Sequence, residues 1–216
     1  MTEDLPPPDF DARFQAELET LLAWRRDVRH FRTDPLPDGE VERLLALTQF
    51  SPSVGNAQPW RFVRIGSPAL RETLATHVDA ASARAAEHYD AERGAAYRRL
   101  KLHGLREAPE ILAVFSDEAP QAGHGLGRAT MPEMLRYSTV MAIHTLWLAA
   151  RAHGIGLGWV SILDPTPITT LLNVPAHWAL VALLCLGWPS ESSDVPELER
   201  RGWQKREDWQ AHILDR

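Results

Sequence analysis

Three guanidinium groups crowd one carboxylate in the heptapeptide Arg25-Arg26-Asp27-Val28-Arg29-His30-Phe31. Guanidinium forks stay charged at every relevant pH and match phosphate oxygens two at a time, so Arg25, Arg26 and Arg29 are suited to hold a phosphorylated ligand. A solvated helix end with surface ion pairs would use the same residue types. Asp27 lies between cations whose field favours its ionised form, which suits it to accept or relay a proton unless burial outweighs that field. About twenty residues on, Ser51-Pro52-Ser53-Val54-Gly55-Asn56-Ala57-Gln58-Pro59-Trp60 interleaves hydroxyls and amides with turn formers. Ser53, Asn56 and Gln58 are fit to hydrogen-bond a heteroaromatic edge or a sugar chain, Gly55 to let backbone approach closely, and Pro59 to fix the exit into a strand. An ordinary helix-to-strand connection would use the same turn formers.

These segments need rigid elements to place them. Phe10, Phe14, Leu18 and Leu21 recur at helical spacing and predict a helix that delivers the chain into the arginine strip. Asp38 is a candidate cap for a second helix, with Glu40 near its positive end and Val41, Leu44, Leu45 and Thr48 as its buried stripe, ending at Ser51-Pro52. Residues 60–65 alternate as a strand, and 68–102 read as one or two helices interrupted at Gly94. A short apolar run at 111–115 predicts another strand. Residues 133–153 are apolar on nearly every face, which predicts a helix buried in the core or against a second subunit and stopped by Gly154. Strands are expected at 157–162 and 180–186, with a short helix between them that starts at Pro165 under Asp164. No GxGxxG fingerprint follows a strand, so an α+β sandwich is favoured over a dinucleotide-binding doubly wound sheet.

Composition narrows the partners. A chain of 216 residues, 44% hydrophobic, suffices for one domain with a substantial core and excludes a disordered protein. A net charge of −6 and a pI near 5.8 give no general attraction to nucleic acid or a membrane surface. The acidic, proline-rich opening has no leader pattern, so the cytoplasm is the expected location. Cys185, the single cysteine, reads as a small buried hydrophobe. The nine histidines show no HxxxH pairing and no cysteine partners, so no metal site is expected, and no GxSxG elbow marks a hydrolase. The tryptophans along apolar segments read chiefly as packing.

Taken together, RRDVRHF and SPSVGNAQPWRFV resemble the opening of nitroreductase-like flavoproteins. Tyr137-Ser138-Thr139-Val140, Leu146-Trp147-Leu148-Ala149-Ala150-Arg151-Ala152 and Gly156-Leu157-Gly158-Trp159-Val160-Ser161-Ile162-Leu163-Asp164-Pro165 narrow the resemblance to the 5,6-dimethylbenzimidazole synthase, or BluB, type. Leu184-Cys185-Leu186-Gly187-Trp188-Pro189 and Pro196-Glu197-Leu198-Glu199 fit it too, over residues 15–206 in all. The resemblance implies an α+β nitroreductase-like fold, a central mixed or antiparallel sheet flanked by helices in an intertwined homodimer. It implies one domain over 1–216, with a lid at about 80–105 and a C-terminal tail from 190.

Carried onto this chain, the resemblance makes Arg25, Arg26, Asp27, Val28, Arg29, Ser53, Gly55, Asn56, Gln58, Leu102 and Ser161 contacts of FMN, with Asp27 and Ser161 catalytic. The implied reaction consumes reduced FMN and O2 to give 5,6-dimethylbenzimidazole and erythrose 4-phosphate for cobalamin biosynthesis, without a metal. Such chemistry needs bulk water kept out, which a closing lid provides. A separate flavin reductase is expected to supply reduced FMN, because no nicotinamide fingerprint is visible. Ala129 stands where the family leads one to expect a polar or basic residue, and Arg206 reads as a solvated tail charge rather than a further phosphate contact. Two other functions remain open: an NAD(P)H-dependent nitroreductase that retains its FMN, and a non-catalytic flavin-binding protein. Asp27 and Ser161 favour the synthase over both.

Overall fold

Helical and strand periodicities alternate along the chain and resolve, in a computed structural model, into an antiparallel sheet packed between helices. The structure describes residues 7–216; the acidic opening of residues 1–6 lies outside the described residues. Four strands, β1 (Trp60–Arg64), β2 (Glu110–Asp117), β3 (Gly156–Val160) and β4 (Trp178–Gly187), pair antiparallel in the order β1-β2-β4-β3. The inner strands β2 and β4 are covered on both faces, which explains why they read as continuous apolar runs rather than as alternating ones.

Strand alternation sorts these residues onto two cores. Ile111, Ala113, Phe115, Leu183 and Cys185 face Leu74, Ala75 and Val78 of α3 (Pro68–Ala86) and Ile168 of α6 (Pro165–Leu172). Leu112, Val114, Leu184 and Leu186 face Val41 and Leu44 of α2 (Glu40–Leu47) and Ile143, Leu146 and Ala150 of α5 (Met134–Ala152). Cys185 is fully buried, and that burial pushes its thiol up to about 12.

Several boundaries differ from the sequence expectation for identifiable reasons. Asp38 does not cap α2: Gly39, left-handed at φ 78°, takes the cap position without a side-chain bond, and Glu40 and Glu42 supply negative charge to the first turn. Gly94 does not break a helix. It lies buried inside α4 (Ala91–Arg98), where a Cβ would come within 3.2 Å of the Ala86 carbonyl, and the break falls earlier, at the Asp90 cap. The expected strand at 157–162 stops at Val160, leaving Ser161 in the exposed connection to α6.

Helix α5 is not buried all round within one chain. Tyr137 and Val140 keep 50% and 40% of their surface exposed, and α1 (Ala12–Trp24) buries no residue, leaving Phe14, Leu18 and Leu22 exposed. Apolar helix faces left open in this way mark surfaces that another body covers.

The arginine strip is held by the sheet. Asp27 bridges Leu157 in the parallel sense, and the Val28 amide donates to the Leu157 carbonyl at 3.0 Å, so the strip lies along the outer edge of β3. Gly158 makes this approach feasible: a Cβ there would sit 2.1 Å from the Val28 carbonyl oxygen, which no side-chain rotation relieves. Gly158→Ala should therefore destabilise the fold by roughly 2 kcal/mol, in the range of overpacking costs, lowering the melting temperature by about 4–8 °C. An unchanged melting temperature would show that the strip is not seated on β3.

Candidate active site

Arg25 leaves α1 in extended conformation, at φ −69° and ψ 117°, which turns the chain from helix to edge strand. Since β3 is the last strand of the sheet, the outward amide of Trp159 has no strand partner. Asp27 provides one: its Oδ1 accepts from the Trp159 amide at 2.8 Å. Its Oδ2 accepts from Arg29, with Nε and Nη2 each at 2.9 Å. Both carboxylate oxygens are thereby fixed. Burial holds the Asp27 carboxyl above its ordinary range, against the opposing pull of Arg29, the Trp159 amide and Arg25. Desolvation thus outweighs the arginine field, settling a balance that the sequence leaves open.

Arg29 keeps only 12% of its side chain exposed, and its Nη1 is buried without a partner. A buried, charged donor left unpaired is costly unless a ligand acceptor meets it. Arg25, Arg26, Asp27 and Arg29 share one concavity with Arg206 and residues 196–198. Burial, then repulsion from Arg206 and Arg25, disfavours the charge on Arg26; at Arg25 burial again leads, with Asp27 opposing it and Arg206 adding to it. Arg206 thus faces the strip rather than acting as a detached tail charge. Arg26 is partly committed elsewhere, its Nε donating to the Asp194 carbonyl at 2.9 Å.

The C-terminal tail reaches the strip through contacts that span the whole chain. His30 Nε2 lies 3.2 Å from Glu197 and 4.0 Å from Glu191, a trio close enough to share a cation. Arg200 at 3.4 Å from Glu191 and Arg201 at 3.6 Å from Glu197 already pair both carboxylates, so the group works as an ion-pair network that fastens the tail. Further on, Trp203 packs edge-on against Tyr89 and Tyr97, with ring centroids 5.5 and 5.9 Å away, and Arg93 lies over its ring at 4.6 Å. The tail therefore ties the α3–α4 region to the strip. Trp203 escapes sequence reasoning, and Arg206 reads there as a tail charge, because only the tertiary fold brings them here.

The remaining candidates distribute as follows. Ser161 lies two residues beyond Trp159, about 7 Å further along the strand direction, and is exposed. Leu102 lies on the return from α4, beside His103, Lys101 and Asp79. Two residues later Gly104 presses on the strip, where a Cβ would meet the Phe31 ring at 2.4 Å and the Arg29 carbonyl at 3.1 Å.

The serine-asparagine loop sits elsewhere in the chain. Val54 donates its amide to Ser138 Oγ at 3.0 Å, near the start of α5, and Ser53 Oγ accepts from the Gln58 amide at 3.1 Å. Asn56 and Gln58 hold positive φ, and Gly55 approaches Gly123 and Leu126, whose carbonyls lie 3.0 Å from where its Cβ would be. Trp147, nine residues after Ser138, donates its indole N–H to the Arg26 carbonyl at 3.1 Å. Nine helical residues span about 13 Å, so within one chain the Val54 anchor of the loop and the strip sit about that far apart along α5, while Ser51 at the start of the loop donates to Thr145 Oγ1 at 2.8 Å.

The nitroreductase family profile matches residues 22–188. The chain belongs to the nitroreductase family. Within this family it is similar to a 5,6-dimethylbenzimidazole synthase of Rhodospirillum rubrum, 59% identical over 92% of this chain and 94% of that one. A 5,6-dimethylbenzimidazole synthase of Rhodobacter capsulatus is 52% identical over 91% of this chain and 95% of its own. Among solved structures of this nitroreductase fold, an iodotyrosine deiodinase bound to FMN and 3-iodo-L-tyrosine superposes with a TM-score of 0.69. It is 25% identical and covers 82% of this chain and 91% of its own.

The raised Asp27 carboxyl has a consequence for stability. A carboxyl whose folded pKa exceeds its unfolded value, near 3.8 here, binds more protons in the native state. Its stabilising contribution is full below that unfolded value and is lost as pH rises through the folded one, so ionised Asp27 costs stability at neutral pH. Asp27→Asn should melt no lower than wild type at pH 7, with any advantage vanishing as pH falls to about 4, as followed by thermal denaturation across pH. A melting point several degrees lower at pH 7 would show that the Arg29 pair outweighs burial.

Proposed function

We propose that this protein fragments reduced FMN with O2 into 5,6-dimethylbenzimidazole and erythrose 4-phosphate, supplying the lower ligand of cobalamin. The observation that carries the proposal is Asp27, a half-buried carboxylate held by a strand amide and Arg29 inside a concavity of four arginines. The identity with 5,6-dimethylbenzimidazole synthases over most of the chain supports it.

The residues fit FMN. Arg25, Arg26, Arg29 and Arg206 line the concavity against two carboxylates, Asp27 and Glu197, leaving net positive charge for a phosphate, and the orphaned Arg29 Nη1 suits an acceptor on a flavin ring edge. When bound, reduced FMN supplies both the electrons and the carbon skeleton that O2 attacks. Asp27, its pKa raised by burial, is placed to take up and return a proton beside the ring, and Ser161 offers a hydroxyl further along the same edge. Val28 and Leu102 add backbone contacts, and residues 80–105 serve as a lid that keeps out water so that reduced flavin is not lost to hydrogen peroxide.

A second copy of the chain completes the site. Ser53, Gly55, Asn56 and Gln58 are anchored nine helical residues along α5 from the strip of their own chain, while the open apolar faces of α1 and α5 provide the surface for a homodimer. Each strip then meets the loop of its partner. The chain acts as one domain in the cytoplasm, and a separate flavin reductase delivers reduced FMN.

Mixing the purified protein with chemically reduced FMN in air should bleach the flavin and yield 5,6-dimethylbenzimidazole. Quantitative recovery of oxidised FMN would sink the proposal, and NAD(P)H consumption without an added reductase would favour a flavin-retaining nitroreductase. Asp27→Asn should still bind reduced FMN while lowering product yield by about 100-fold or more, the scale of a lost proton-transfer group. Undiminished yield would remove Asp27 from the mechanism.

A further inference from the structure

Trp147 contacts the first two arginines of the strip and the strand residue that holds its aspartate. Its indole N–H donates to the Arg26 carbonyl at 3.1 Å, the Arg25 guanidinium lies 4.7 Å from its ring centroid, and its ring stacks at 6.4 Å and 21° with Trp159, whose amide holds Asp27. Core packing alone would account for a partly buried tryptophan, but not for one whose polar atom and π face are both engaged by consecutive residues of one cationic segment.

Physical chemistry gives these contacts a purpose. Arg25 and Arg26 share a concavity with Arg29 and Arg206, where two carboxylates, Asp27 and Glu197, face four arginines, and the excess of like charge pushes the arginines outward into solvent. An arginine that swings away must be reordered before it can grip a ligand, which weakens binding. The face of an indole attracts a guanidinium and holds it in place at little conformational cost. The hydrogen bond to the Arg26 carbonyl meanwhile fixes the backbone from which both arginines project.

We propose that Trp147 is a positioning residue that presets Arg25 and Arg26 for the phosphate, making the site select FMN over its unphosphorylated counterpart, riboflavin. The proposal rests on the strip being the FMN phosphate grip. It requires Trp147 to act on the phosphate end of the ligand and not on the ring.

The test is a comparison of two ligands on two variants by flavin fluorescence titration, with circular dichroism and thermal melting as folding controls. Wild type should bind FMN more tightly than riboflavin. Trp147→Leu, which removes both contacts, should weaken FMN binding on the order of tenfold and leave riboflavin binding unchanged. Trp147→Phe retains an aromatic face but loses the N–H, so it should weaken FMN binding by a smaller factor, again without affecting riboflavin; it also serves as the test if the leucine variant does not fold. Equal weakening of both ligands would reduce Trp147 to general packing and overturn the proposal, as would unchanged FMN binding. A wild type that binds both ligands equally would instead overturn the phosphate grip itself, and this inference with it.

Discussion

An edge strand with an unpaired amide is the constraint on which the site depends. Strand β3 ends the sheet, and its outward Trp159 N–H would face solvent or an unwanted strand if nothing covered it. The strip covers it with a side chain instead of a main-chain carbonyl, so the hydrogen bond that closes the sheet is also the one that orients the carboxylate. Fold and chemistry therefore share a single contact. Glycines at 156 and 158 are its steric condition, since side chains there would collide with Val28.

Much of this was legible in the sequence, in proportion to how local the cause is. The strip declares itself because three arginines around one aspartate are unusual within a few residues, and the 51–60 segment declares itself as a loop through its turn formers. Helices and strands follow from periodicity. Misplaced boundaries arise where two local signals compete, as when Gly39 takes the position Asp38 might have capped, or where a glycine expected to break a helix allows close packing at Gly94. Contacts between distant positions could not be read at all. The bond from Asp27 to Trp159 spans 132 residues, and Arg206 or Trp203 carries no mark of its destination until the tail is folded back. The balance at Asp27 was likewise unreadable, because neighbouring charges are visible in a sequence and desolvation is not.

Helix α5 acts as a spacer between two groups of candidate ligands, as well as forming core. At one end Ser138 fixes the serine-asparagine loop, and at the other Trp147 fixes the strip. A helix is stiff on this scale, so the separation is a property of the chain rather than of a particular conformation. Apolar residues of α1 and α5 stay uncovered within the one chain.

The chain carries one sulfhydryl, and its setting decides how it meets oxidants. Cys185 lies near the C-terminal end of β4, fully covered, with its thiol pushed up to about 12. Oxidants attack the thiolate, and at neutral pH a group of that acidity is ionised in roughly one molecule in 10⁵. An oxidant should therefore meet an inert sulfur at Cys185.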